Sequence, residues 1–171
     1  MREILSNLDM KRLNNNFISA LGILVIRIAK FFPANFNPLG AFGFFSNQPI
    51  FYFISILFFD YLFGGLYLGQ TWVYLAFAVY PILGYISREK LKQQLLFLPI
   101  ASFLFFLLSN FGVWLNWYPR NIEGLLQCYL LALPFYGRTL MGDLFFGYTY
   151  LFLKQFKKSK EKTIVFAENS N

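Results

Sequence analysis

The feature that most constrains this chain is a succession of apolar runs, each long enough to form a helix, recurring from Phe17 to Leu153. Charges are almost confined to the gaps between them. With 57% of its 171 residues hydrophobic and 22% aromatic, the chain is too apolar for a soluble domain of its size. These runs predict an all-α membrane protein, a six-transmembrane-helix bundle with both termini cytoplasmic. The net charge of +7 does not indicate a nucleic-acid partner, because the basic residues cluster at the termini and in one short loop. Such clusters act as topology determinants beside spanning helices, and the basic tail is suited to anionic lipid. The expected surroundings are a lipid bilayer, as a multi-pass protein of the bacterial cytoplasmic (inner) membrane.

In chain order, residues 1–16 form a polar cytoplasmic lead carrying Arg2, Lys11 and Arg12. The first span covers about 17–32, and because Arg27 interrupts it and no A-x-A site follows, it is expected to be an uncleaved helix. A short second span, about 36–47, follows two prolines and Asn35 and Asn37. The third span, about 50–66, holds Asp60 near its far end and closes at Gly64 and Gly65. The fourth, about 72–87, opens with Trp72 and Tyr74 and contains Pro81, and the basic residues Arg88, Lys90 and Lys92 come next. The fifth is about 95–117. Residues 123–153 are too long for one crossing, roughly 46 Å as a single helix. Pro134 and Gly137 suggest a break, giving a short helix over 123–133 and a sixth span over 135–153. Residues 155–171 are read as a disordered basic tail. Six crossings put eleven basic residues inside and only Arg27, Lys30, Arg120 and Arg138 outside, which satisfies the positive-inside pattern.

Within the fifth span, Asn110, Trp114 and Trp117 recur at i, i+4 and i+7 and so share one helical face. An unpaired amide in an apolar span costs a few kcal/mol, so Asn110 needs a partner. Two tryptophans further along suit an interface, where the ring is buried and the N–H stays wet. The six-span topology sends Arg27, Asn35, Asn37, Asp60, Trp72, Tyr74, Asn110, Trp114, Trp117, Arg120, Arg138 and Asp143 to the outer half of the bundle. Charges are costly within spans, so Asp60 and Asp143 are expected to face the interior and pair with Arg27 or Arg138. The collection reads as an aromatic-lined ligand site, and four basic against two acidic groups favour an anionic or zwitterionic small molecule.

Ordinary catalysis finds little support. Histidine is absent, which removes a histidine base and histidine-ligated metals, and there is one cysteine, Cys128. No phosphate-binding glycine loop is present, so no cofactor is expected. The two aspartates, in FFDY and LMGD, suggest an intramembrane aspartyl protease only distantly, because Leu140 stands where such enzymes carry glycine.

The order RIAKFFPANFNPLGAFGFF, Asp60, WVYLAF, SNFGVWL with YP, and GLLQCYLLALPF with TLMGD resembles an uncharacterised bacterial integral-membrane family, a domain of unknown function. That family is distantly similar to the substrate-binding S components of energy-coupling-factor transporters, and the likeness covers residues 18–152. The resemblance implies six helices with an extracytoplasmic pocket under the loops at 32–38, 64–71 and 117–122. It implies uptake of a small polar or aromatic, vitamin-like nutrient, with an energy-coupling transmembrane subunit and its ATPases as partners. Helix one offers Ser19, Ala20 and Gly22 but lacks the paired alanines four apart through which S components dock. A non-transporting scaffold of the rod-shape-determining type is the alternative, and it predicts a pocket filled by side chains.

Overall fold

The computed structural model describes residues 17–28 and 32–168, with side chains described as far as residue 160. The polar lead and Lys30 lie outside the described residues. All regular structure among those described is helical: α1 (Phe17–Ile28), α2 (Leu39–Phe45), α3 (Pro49–Phe59), α4 (Gln70–Ile86), α5 (Leu91–Trp117) and α6 (Ile122–Glu168). By length and composition, α5 is the one described helix long and apolar enough to cross a membrane, while α1, α3 and α4 are shorter apolar helices.

Contacts along the helices fix their relative directions. Phe17 meets Phe51 and Arg27 lies over Phe59, so α1 and α3 run parallel. Tyr80 reaches Ser102 while Trp72 meets Phe111, so α4 and α5 are antiparallel. Tyr129 donates to the Leu107 carbonyl and Tyr148 to that of Leu95, so α6 runs back along α5. Phe36 touches Phe145 and Phe146, and Phe45 touches Tyr150, which makes α2 parallel to α6. The ends of α1, α3 and α5 and the starts of α2, α4 and α6 therefore gather at one end of the bundle, called here the cleft end.

The second segment departs from the expected helix over 36–47. Its helix has seven residues, about 10 Å, preceded by an irregular strand of chain. Asn35 adopts φ 70°, a left-handed conformation that asparagine tolerates, and the Phe36 N–H closes a turn on the Pro33 carbonyl. Ser46, extended at ψ 130°, ends the helix. What α2 lacks in length it gains in contact. Leu39, Gly40, Ala41, Gly43 and Phe44 are buried. A Cβ on Gly84 would collide with the Phe44 backbone carbonyl, so α2 and α4 approach at backbone distance.

Two further expectations change. The break at Pro134 is absent, and the short helix 123–133 and the span 135–153 form one helix of 47 residues, about 70 Å. Proline removes one hydrogen bond and crowds the carbonyl four residues back. Here the turns on either side are held against α5, by Tyr129 on the Leu107 carbonyl and by Tyr136 stacked on Phe106. Residues 155–168, read from sequence as disordered, continue that helix. Their lysine, glutamine and glutamate residues are good helix formers, and Lys154 pairs with Glu89 at 3.7 Å.

The α3 helix ends in a wide turn over Asp60–Gly64, closed by the Gly65 N–H on the Asp60 carbonyl at 2.8 Å. Two packed clusters hold the bundle. Ile23, Leu39, Tyr52 and Ile56 join α1, α2 and α3, and Phe44, Tyr80, Leu98 and Ala101 join α2, α4 and α5.

Candidate functional site

Seven of the twelve residues expected to converge fall in three separate places, and the other five lie elsewhere. The first is a buried layer in mid-bundle. Asp143, 1% exposed, accepts from the Tyr80 hydroxyl at 2.5 Å and from Ser102. It also accepts from the Ala41 backbone N–H. Ala41 lies in the first turn of α2, so an α6 carboxylate caps the short helix, where negative charge and free N–H groups attract. Asn37 caps the same turn, its Oδ1 accepting from the Leu39 N–H at 2.9 Å. Gly40 is required beside it, since a Cβ there would meet both Asp143 and Tyr80. The expected arginine partner is replaced by three neutral donors. Arg138, five residues away, is exposed.

The second place is at the cleft end. Asp60 accepts from the Tyr74 hydroxyl at 3.0 Å and from the Gln70 amide at 3.4 Å, and Gln70 also donates to Tyr74 at 2.6 Å. Arg27 does not form an ion pair with it. Its guanidinium lies over the Phe59 ring at 3.8 Å, and Nη1 is buried without a hydrogen-bond partner among the described residues. The loop that follows is apolar and open, with Leu66 97% exposed. Partial burial, and then the nearby Asp60, raise the pKa of the Tyr67 hydroxyl in this loop.

The third place is a cleft of about 180 Å³ between α5, α6 and the turn before α2. Asn35, Ser109, Asn110, Tyr136 and Thr139 supply its polar lining, and Phe105, Phe106, Ala132 and Phe135 its apolar lining. Of the expected site residues, only Asn35 and Asn110 reach it. Ser109 donates to the Phe105 carbonyl, Asn110 to that of Phe106 and Thr139 to that of Phe135. Each thereby spends a donor on its own helix and keeps acceptor capacity.

Of the remaining residues, Trp114, Trp117 and Arg120 bond to loop or helix-end carbonyls, and Trp72 packs between α4 and α5. Trp114 donates to the Pro119 carbonyl at 3.0 Å, and Trp117, 62% exposed, to that of Leu68 at 3.4 Å. Arg120 donates to the Leu115 carbonyl, and Trp72 packs edge-on to Phe111. Sequence reasoning missed Tyr80 and Ser102, and from the cleft it missed Ser109 and Tyr136. Ser109 was the most legible of these, lying next to Asn110. No group of three or more metal-ligating side chains occurs among the described residues.

A family of unknown function, DUF6580, matches residues 10–163. The chain belongs to that family. No curated protein and no solved structure matches the chain.

Proposed function

We propose that this chain is a membrane-embedded substrate-binding subunit for uptake of a small polar or aromatic nutrient, similar in plan to the S components of energy-coupling-factor transporters. In this reading six segments cross the bacterial inner membrane, the second as an irregular lead followed by the buried α2. The alternating directions of the segments support this, as does the wealth of exposed apolar side chains along α1, α3 and α6. Close helix approach through Gly84 and Gly147 suits packing in lipid. The loop at 87–90 and the lysines from Lys154 share the end opposite the cleft, as a cytoplasmic face requires. Energy conversion would belong to a partner carrying the ATPases.

The observation that carries the binding role is the cleft, where five polar side chains meet four apolar ones, away from the basic loop at 87–90 and the tail lysines. Native mass spectrometry of the full chain in mild detergent tests it. A stoichiometric small-molecule adduct, reduced by Asn110→Leu, is expected. A bare protein mass that no metabolite pool shifts would remove the binding role.

The scaffold reading draws on a different observation. About 180 Å³ is below the roughly 300–1,000 Å³ of ordinary ligand pockets, and most of the expected site residues are satisfied within the protein. Co-purification of a stoichiometric membrane-protein partner by a chain without any adduct would favour it.

A further inference from the structure

The residues around the cleft differ in charge from those that the sequence assembles. Arg27, Arg120 and Arg138 are absent from its lining. Beneath it lies a carboxylate. On α6, Asp143 is one turn past Thr139, and on the antiparallel α5, Ser102 is one turn before Phe106. The hydrogen bond between Ser102 and Asp143 therefore forms a floor about 5 Å below the lining. The donors to Asp143 are Tyr80, Ser102 and Ala41, all neutral, and among the described residues the only ion pair joins Lys154 to Glu89.

The walls act in the same direction. The Ser109 and Thr139 hydroxyl hydrogens are engaged by backbone carbonyls, as is one N–H of Asn110, so the two hydroxyl oxygens face an occupant as acceptors, while the Asn35 and Asn110 amides and the Tyr136 hydroxyl can accept as well as donate. Phe105, Phe106, Phe135 and Tyr136 add ring faces, whose quadrupoles attract cations. We infer that the cleft takes a small organic cation, a protonated amine or quaternary ammonium, held by aromatic faces and acceptor oxygens above the Asp143 floor. Its volume equals about six waters at ~30 Å³ each, which limits the occupant to a compact molecule. This inference rests on the binding role proposed above and reverses the anionic ligand expected from counting charges.

Three probes of nearly one shape separate charge from fit: choline, its neutral isostere 3,3-dimethyl-1-butanol, and the anion 3,3-dimethylbutanoate. Each is titrated calorimetrically into the purified full chain, and any small molecule released on denaturation is identified. Choline is expected to bind about tenfold more tightly than the alcohol, with the carboxylate weakest. Asp143→Asn narrows that preference. Phe135→Leu, at an exposed position that leaves the core intact, weakens choline by about threefold and the alcohol by less, because only the cation loses the ring quadrupole. Equal binding of all three, a preference for the carboxylate, or release of a neutral or anionic native ligand overturns the charge assignment and leaves a binding protein. No binding by any probe and no released molecule overturns both.

Discussion

Asp60 and Asp143 occupy similar sequences, each preceded or followed by paired phenylalanines in an apolar helix, yet the fold treats them in opposite ways. Asp143 is enclosed at mid-bundle, with donors from three other elements converging on one carboxylate. Asp60 sits at the cleft end beside a wide turn and an open loop, and its hydroxyl and amide partners both come from the start of α4. Neither is paired with an arginine. An acidic group in an apolar helix can be held by neutral donors, and the number of elements that supply them separates a structural keystone from a local latch.

The largest effect should come from Asp143→Leu, which strands three buried donors at once. A loss of about 4 kcal/mol is expected in thermal or denaturant unfolding in mild detergent. A variant that unfolds like the parent would show that α2 needs no cap from α6. Gly40→Ala keeps the carboxylate but places a methyl group against it and against Tyr80, so about 2 kcal/mol should be lost. Asp60→Asn leaves an acceptor for Tyr74 and should cost about 1 kcal/mol. A penalty matching that of Asp143→Leu would erase the contrast between the two sites. Tyr61→Ser, at a position 84% exposed, should move stability by less than about 0.5 kcal/mol. A larger shift would mean that the wide turn packs against something in the detergent-solubilised protein.

The helical frame was largely legible because apolar run length is a local property. The runs over 72–87 and 95–117 correspond closely to α4 and α5. Pro134 was misread because sequence shows the lost hydrogen bond but not Tyr129 and Tyr136, which hold the helix on either side of it. The site was less legible. Asn110 was recognised as needing a partner, and it found one in its own helix, at the Phe106 carbonyl. The role of Asp143 depends on the register among residues 41, 80, 102 and 143, and no local pattern encodes that. Thr139 and Asp143, four apart, share a helical face, but that spacing does not say that the first borders a cleft and the second lies beneath it.

The capping of α2 from α6 also bears on the order in which the molecule assembles. A seven-residue helix is too short to persist alone, and the acceptor for its Ala41 N–H is made about a hundred residues later in synthesis. The segment before α3 is thus produced second but receives this acceptor only when α6 is made. Until the ribosome has passed residue 143, α2 lacks its Asp143 cap, and the arrival of α6 supplies it.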